Sequence, residues 1–149
     1  DPELDLYNLK WPIYNYHHSL PPAKFVHNDD ISPNGLPRIG KAVNSLVCDG
    51  CIVSGSTVSN SVIFNSVHVH SYATVHNSVI LNDVQIGERC LIRNAIIDKH
   101  VELPEGTAVG YDRKEDEKRF FVTDFTSGRK GEWLTVIPKR RSVEKLPSF

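Results

Sequence analysis

Residues 60–87, NSVIFNSVHVHSYATVHNSVILNDVQIG, contain one pattern twice at an interval of 17 residues. The run NSVI at 60–63 returns at 77–80, and the run VHV at 67–69 returns as VQI at 84–86. Similarity at a fixed interval is the sequence signature of a repeat architecture, in which each unit buries its apolar side against the next unit. The stretch therefore predicts a stack of similar coils.

A step of 17 residues extends the repeat on both sides of this stretch and aligns the chain into columns. Three columns are aliphatic: Ile52, Val69, Ile86 and Leu103; Val58, Val75, Ile92 and Val109; Ile63, Ile80 and Ile97. Two columns two positions earlier hold small residues: Ser56, Ala73, Cys90 and Thr107; Ser61, Ser78 and Ala95. One further column contains Gly50, Val67, Val84 and Val101. The alignment predicts about four coils.

The aliphatic columns lie six, five and six residues apart within a coil, as at positions 52, 58, 63 and 69. An amphipathic helix needs a period of 3.6 residues, and a hairpin sheet or β-sandwich needs alternation broken by irregular turns. Three short strands per coil, each directing one large and one small residue inward, instead give a triangular prism. Its coils stack as parallel strands about 4.8 Å apart.

The predicted fold class is all-β: a parallel β-helix of the hexapeptide type with 17-residue coils, an N-terminal extended arm and a C-terminal capping hairpin. One side of the prism is shortened by a residue, and Asn60, Asn77 and Asn94 occupy the shortened corner. Asparagine tolerates the left-handed backbone that a tight corner requires. Parallel crossovers are normally right-handed; the left-handed form of the helix is inferred from its resemblance to known hexapeptide repeats.

The repeat divides the chain into three segments: an arm at 1–45, the β-helix at 46–111, and a charged loop with a C-terminal cap at 112–149. The open ends of a prism expose unpaired strand edges and need covers. Residues 112–119 are charged and predict a helical turn or a loop. The following stretch, RFFVTDFTSGRKGEWLTVIPK, predicts two strands around a glycine-containing loop.

Composition excludes several classes of function. A net charge of −1 gives no basic field for nucleic acid, and no apolar run has the length of a membrane span. Three cysteines without a signal peptide predict a reducing, cytoplasmic location. The chain has no methionine and begins with Asp1, so we expect it to be a piece of a longer protein.

Several stretches resemble the C-terminal part of bacterial glucose-1-phosphate adenylyltransferase (ADP-glucose pyrophosphorylase). They are LYNLKWPIYNY, PPAKFV, NSLVCDGCIVSGS, SVIFNSVHVHSYATV, NSVIL, IGERCLIRNAIIDK and LPEG. The resemblance covers the chain from about Leu6 to Gly110 and weakens towards the C-terminus. The combination of PPAKF with a β-helix and with IIDK in its last coil is specific to this family.

The resemblance implies a parent enzyme that makes ADP-glucose and pyrophosphate from ATP and glucose 1-phosphate with Mg²⁺, for glycogen or starch synthesis. In the family this chemistry belongs to an N-terminal catalytic domain with a glycine-rich loop. No such loop and no set of paired carboxylates is present here. We therefore expect this chain alone to be inactive and to hold no cofactor. The family's C-terminal part serves subunit assembly, usually as tetramers, and binds anionic sugar-phosphate effectors.

The resemblance also indicates candidate effector residues. Lys99 in IIDK matches a family effector lysine, and Lys139 in TVIPK matches another through a looser alignment. A bisphosphate needs several converging cations, which adds the basic residues Arg93, Arg140 and Arg141 to the candidates. His68 is a further candidate. It and Asn94 stand where bacterial relatives often carry arginine, which leaves the identity of the effector open. The alternative is that these are ordinary surface charges.

Two further patterns have simpler explanations than a chemical site. Cys48 and Cys51 form a CxxC pair, but the sequence supplies no second pair for zinc, and a strand rather than a helix follows. A turn at Asp49-Gly50 explains the spacing better. His68 and His70 share an outer face and could bind a metal, yet without a nearby carboxylate or cysteine a surface pair is the better interpretation.

Val62, Val79 and Ile96 form a column next to the inward isoleucines, and the pleat directs them outward. An apolar stripe on the outside of a prism usually marks a contact. We expect it to pack on the missing catalytic domain, on another subunit, or on the arm that contains Trp11.

Two alternative functions remain open at the level of the sequence. A hexapeptide-repeat acyltransferase would use a histidine as base, but it would need a longer prism and a histidine on a protruding loop. A stand-alone β-helix scaffold would apply if the natural protein began at Asp1.

Overall fold

The computed structural model describes Lys10 and residues 19–28, 37–125 and 131–139. One α-helix, α1, spans Arg113–Arg119. The strands are β1 (Lys24–Asn28), β2 (Arg38–Ile39), β3 (Lys41–Val43), β4 (Leu46–Val47), β5 (Ile52–Ser54), β6 (Thr57–Ser59), β7 (Val62–Ile63), β8 (His68–Val69), β9 (Thr74–His76), β10 (Val79–Ile80), β11 (Gln85–Ile86), β12 (Leu91–Arg93), β13 (Ala95–Ile97), β14 (Glu102–Leu103), β15 (Ala108–Val109), β16 (Phe121–Asp124) and β17 (Trp133–Ile137).

The strands form three sheets, which are the three sides of a prism. Side I has the order β14-β11-β8-β5-β1-β2, side II the order β15-β12-β9-β6-β3, and side III the order β16-β17-β13-β10-β7-β4. Within each side, strands from successive coils pair in parallel, for example Val79 with Val62 and with Ile96. The chain is a left-handed parallel β-helix of about four coils, which confirms the predicted fold class.

The core is the axis of the prism, filled by stacked aliphatic side chains. The columns that begin at Val58 and Ile63 are buried as predicted, with every member fully inaccessible to solvent. The prediction for the first aliphatic column was wrong at its first residue, Ile52. Val53, not Ile52, pairs in register with Val69 and points inward, whereas Ile52 pairs with His68 and lies half-buried on the outside. Cys51, not Gly50, likewise precedes Val67 in its buried column.

The physical reason for this correction is a shorter first coil. Val53 and Val58 are five residues apart, whereas the equivalent Val69 and Val75 in the next coil are six residues apart. Gly55, with φ of 57°, makes the tighter corner. The step between the first two coils on side I is therefore 16 residues, and it becomes 17 in the coils that follow.

All three corners of the prism use left-handed backbone. Asn60, Asn77 and Asn94 have φ of 48° to 49°, as expected for the shortened corner, and Asn44 continues their column. The other two corners repeat the same conformation in less permissive residues: Ser66, Asp83 and His100; Tyr72 and Arg89. Asparagine amides also join the coils, with 2.6 Å between Asn77 Nδ2 and Asn94 Oδ1.

The small-residue columns contribute hydrogen bonds as well as space. Ser61 Oγ donates to the carbonyl of Ser59 and accepts from the backbone N–H of Ser78 in the next coil. Ser78 Oγ repeats this arrangement and accepts from the N–H of Ala95. A serine in this column therefore satisfies buried backbone groups at a corner, where the regular ladder is interrupted.

The parallel ladders extend beyond residues 46–111. Within the segment assigned to the arm, β1 pairs in parallel with β5, and β3 pairs in parallel with β6. At this end of the prism Phe25, Ile39 and Val43 remain 43% to 56% exposed. The division of the chain into domains at these boundaries stays a prediction.

The opposite end is closed by the cap. The predicted hairpin forms, since β16 pairs antiparallel with β17, and β17 joins side III in parallel with β13. The charged run before it is a helix rather than a loop: Asp112 caps α1 by accepting from the backbone N–H groups of Lys114 and Glu115. Among the described residues, no helix is long and apolar enough to cross a membrane.

Candidate functional site

Lys99 and Lys139 lie at the ends of neighbouring strands. Strands β13 and β17 run parallel, with Ile97 paired to Ile137, and the backbone N–H of Asp98 donates to the carbonyl of Ile137 at 2.9 Å. Lys99 and Lys139 each follow their paired isoleucine by two residues. Paired parallel strands lie about 4.8 Å apart. Two lysines that are 40 positions apart in the chain are thus brought to one corner of the prism, between sides III and I.

Both lysines are exposed at this corner, which we call the lysine corner. Among the described residues, no hydrogen bond or ion pair is made by either ammonium group. The nearest carboxylate in sequence, Asp98, accepts a hydrogen bond from the backbone N–H of Lys99 at 2.7 Å. His100 Nδ1 lies 3.4 Å from Asp83 Oδ2, which is at the same corner of the preceding coil. The corner therefore carries two exposed lysines that follow neighbouring strands, and lysine is a residue type that binds oxyanion groups.

The other basic candidates are not brought to this corner. Arg93 ends β12 just before the corner at Asn94, whereas Lys99 follows β13, so they lie at opposite ends of side III. Its guanidinium donates to the carbonyl of Gly110 through Nη2 at 3.0 Å and stacks 4.7 Å from the centre of the Tyr111 ring. Arg93 thus joins the last two coils. Arg140 and Arg141, like Trp11, lie outside the described residues.

His68 lies on side I, where its neighbours in register are Ile52 and Gln85. The rings of His68 and His70 stack with 3.9 Å between their centroids and 22° between their planes. Both face outward, as predicted. In the part of the chain that the structure describes, no three His, Cys, Asp or Glu side chains are grouped to hold a metal ion.

Burial lowers the pKa of His68, and the neighbouring His70 lowers it further. The folded protein therefore binds a proton at this position less readily than the unfolded chain, whose imidazole has a pKa of about 6.5. We expect the contribution of His68 to the free energy of unfolding to be complete above that value and to fall as the pH drops through it. Urea unfolding of wild type and His68→Gln between about pH 5 and 7.5 measures this. A wild-type curve that runs parallel to that of the variant would contradict it.

The cysteines do not form a reactive site. All three are free thiols, and burial raises the pKa of Cys48, Cys51 and Cys90. The Cys51 thiol donates to the carbonyl of Phe64, inside the prism. Asp49 and Gly50 form a turn with Gly50 at φ of 77°, so the turn interpretation of the CxxC spacing is confirmed.

The outward apolar column on side III is longer than predicted. Val62, Val79 and Ile96 are half-buried and face outward, and the strand pairing adds a residue in register before them and two after them. The complete apolar row crosses all six strands of side III: Leu46, Val62, Val79, Ile96, Val136 and Phe121. Its two ends are the most exposed, Leu46 at 43% and Phe121 at 67%. The equivalent row on side I is Ile52, His68, Gln85 and Glu102, which is mostly polar.

The sequence did not indicate the role of Asp116. Its side chain is 1% exposed, in the middle of a helix whose other charged residues, apart from the partly buried Arg119, face solvent. Asp116 Oδ2 accepts three hydrogen bonds, from the Gly110 N–H at 2.8 Å, Trp133 Nε1 at 3.0 Å and Thr135 Oγ1 at 2.9 Å. No local signal distinguishes this carboxylate from its neighbours, because two of its partners arrive with the hairpin.

Comparison with known proteins agrees with this architecture. The sequence profile of the family described as GlmU-like, C-terminal hexapeptide, matches residues 21–127. Similar proteins include glucose-1-phosphate adenylyltransferases of Saccharophagus degradans (54% identical over 121 residues, 81% of this chain and 27% of the relative), Alteromonas mediterranea (48% over 120 residues, 80% and 26%) and Anaeromyxobacter sp. (44% over 144 residues, 97% and 32%). The chain spans between a quarter and a third of the length of these relatives. On fold and sequence, the chain belongs to the GlmU-like C-terminal hexapeptide family and is homologous to part of glucose-1-phosphate adenylyltransferase.

Proposed function

We propose that this chain is the C-terminal regulatory and oligomerisation domain of a glucose-1-phosphate adenylyltransferase. The whole enzyme would make ADP-glucose and pyrophosphate from ATP and glucose 1-phosphate for glycogen synthesis, with Mg²⁺ held in the catalytic domain. Free thiols in all three cysteines favour a cytoplasmic location for that enzyme. Against the acyltransferase alternative, the coils from β3 onward follow one another at steps of 16 or 17 residues, which leaves no inserted loop between residues 41 and 109 to carry a catalytic histidine.

The observation that carries the regulatory role is the lysine corner. Lys99 and Lys139 follow the ends of two paired parallel strands, so they offer two cations on the same corner of the prism for the two phosphates of a sugar bisphosphate. Their exposure allows a ligand to reach them from solvent. Neither side chain contributes to the core, so the stability of the fold does not require a lysine at either position.

Removal of either lysine of the corner is expected to weaken anion binding. We expect Lys99→Gln and Lys139→Gln each to lower the affinity of the 149-residue chain for fructose 1,6-bisphosphate by about tenfold, because each loses one charge-assisted contact. Isothermal calorimetry at low ionic strength measures the affinity. Lys114→Gln, which removes an exposed lysine on α1, is the matched control and should bind like wild type. Failure of wild type to bind, or equal binding by all four proteins, would overturn the regulatory role.

The apolar row supports the assembly role, with a second copy of this chain as its occupant. A two-fold contact places a surface against itself, and a row without charges can face its own copy without leaving a charge unpaired. The row is about 24 Å long, at five steps of about 4.8 Å. The row has half-buried β-branched residues at its centre and more exposed residues at both ends. Its pattern of exposure is therefore similar when it is read from either end, as a two-fold contact requires.

A charge in the centre of the apolar row is expected to dissociate the assembly. We expect Val79→Lys to raise the dissociation constant at least about tenfold, since it would bury an unpaired ammonium group at the contact. Thr74→Lys places the same charge on side II of the same coil and should leave the assembly intact. Light scattering after size-exclusion chromatography gives the mass of each protein. A wild-type chain that stays monomeric at high concentration would exclude the second copy and leave the catalytic domain or the arm as occupant.

A further inference from the structure

Asp116 is the point at which the last coil, helix α1 and the hairpin meet. The backbone N–H of Gly110 comes from the end of the last coil, while the indole of Trp133 and the hydroxyl of Thr135 come from β17. One oxygen of one carboxylate thus holds three segments together. Burial of a carboxylate is costly unless its hydrogen bonds are satisfied.

The other oxygen of the same carboxylate is not satisfied in this way. Asp116 Oδ1 is buried and makes no hydrogen bond, and the Arg119 guanidinium approaches the carboxylate only to 3.6 Å. A core of this size could be closed by an apolar residue at lower cost, because desolvation often exceeds the Coulombic gain of a buried ion pair. The buried carboxylate of Asp116 is therefore better explained by a structural arrangement that it selects than by a gain in stability.

The feature that Asp116 can specify is the register of β17. Thr135 is the first residue of β17 to pair with β13, where it faces Ala95. Thr135 is buried and extends the small-residue column of Ser61, Ser78 and Ala95 by one strand. Its hydroxyl donates the hydrogen bond to Asp116. A slip of β17 by two residues would keep its apolar face inward, but it would separate Thr135 from the carboxylate.

The same slip would break the lysine corner. Each residue of a strand advances about 3.3 Å, so a two-residue slip would move Lys139 by roughly 7 Å along the strand relative to Lys99. The two ammonium groups would then no longer face one ligand together. A hydrogen bond at the start of the strand thus determines the spacing of two cations at its end.

We infer that Asp116 is a positioning residue for the effector site: it fixes the register of β17 and so places Lys139 beside Lys99. This inference rests on the proposed regulatory function of the lysine corner. It predicts that a change at Asp116 or its partners affects ligands that need both lysines more than ligands that need only one. A residue that merely supported the fold would affect both kinds of ligand alike.

The experiment uses variants that each remove one hydrogen bond to Asp116 and preserve shape: Thr135→Val and, independently, Trp133→Phe. Thr123→Val makes the same chemical change on β16, at an exposed position away from Asp116, and is the matched control. Fructose 1,6-bisphosphate probes both lysines together, and inorganic phosphate probes one. Calorimetry gives both affinities for each protein, and the amide spectrum of ¹⁵N-labelled protein shows whether the prism is retained.

We expect Thr135→Val and Trp133→Phe to weaken bisphosphate binding by about five- to tenfold while phosphate binding changes by less than about twofold. The control should retain the wild-type ratio of the two affinities. An unchanged ratio in both variants, with wild type binding the bisphosphate through Lys99 and Lys139, would overturn the positioning role alone. A wild-type chain that does not bind the bisphosphate would overturn the proposed regulatory function and this inference with it.

Discussion

The Gly110→Ala variant is expected to lose about 4–5 kcal/mol of unfolding free energy, near the upper limit for a single substitution. A Cβ atom at this position would lie 1.8 Å from the carbonyl oxygen of Arg93, and that atom is backbone in the adjacent coil. Gly110 also has φ of 85°, which disfavours any residue with a Cβ. The N–H of Gly110 donates to Asp116 and its carbonyl accepts from Arg93, so a shift that relieves the clash breaks those bonds.

Gly106→Ala is the control for this prediction. Gly106 has a similar φ of 74°, but a Cβ atom there would have nothing within 4 Å. The variant should therefore show the cost of the left-handed backbone alone, about 1–2 kcal/mol. Urea unfolding followed by circular dichroism compares the two proteins. Equal losses would mean that the last coil can move away from Arg93 at little cost, which would contradict the tight contact.

Truncation of the central core residue, Ile80→Ala, is expected to destabilise the protein by about 3–5 kcal/mol. Ile80 is fully buried between Ile63 and Ile97 in a ladder of identical side chains. The coils above and below are fixed by backbone hydrogen bonds at a constant spacing, so the ladder cannot close around the cavity. The loss should therefore lie in the upper part of the range for an isoleucine truncation.

Val79→Ala, on the adjacent residue of the same strand, is the matched control. Val79 is half-buried and faces outward in the apolar row. Its truncation leaves no internal cavity and should cost about 1 kcal/mol or less in the dissociated chain. Denaturation at a protein concentration too low for assembly measures the stability of the fold without a contribution from assembly. If both variants lost the same stability, the axis of the prism would not be the principal core.

The sequence predicted the prism because its core is periodic. An inward column repeats one chemical type at one interval, so each coil independently supports the assignment of the next. Asn60, Asn77 and Asn94 could be placed at a corner for the same reason, and their left-handed φ values agree. The orientation of Val62, Val79 and Ile96 followed from the pleat once their inward neighbours were known.

The start of the first coil could not be predicted in the same way. Ile52 and Val53 are adjacent and both aliphatic, so a fixed 17-residue step selects Ile52, although the first step on side I is 16 residues. Only the tight corner at Gly55 decides between them. A single coil that is one residue shorter is a local change in the backbone, and a repeat interval taken from all the coils does not reveal it.

The lysine corner and Asp116 depend on contacts distant in the sequence. Both lysines were recognised by resemblance, but their adjacency requires β17 to join β13 in parallel, and the predicted hairpin did not specify which strand it would join. Asp116 lies in the run RKEDEKR, where each charged residue has the same local reason to face solvent. Which carboxylate becomes buried is decided by Trp133 and Thr135, which follow it by 17 and 19 residues.

Because the coils have a constant spacing, the number of coils determines the length of the prism. Four coil steps separate β1, where the chain enters, from β14, which follows the lysine corner, and at about 4.8 Å per step the distance is roughly 19 Å. Duplication or loss of one 17-residue unit would change this length by a single step while keeping the cross-section, the corners and both ends. Within this architecture, the distance from β1 to the lysine corner can therefore evolve in increments of one coil, without redesign of either end.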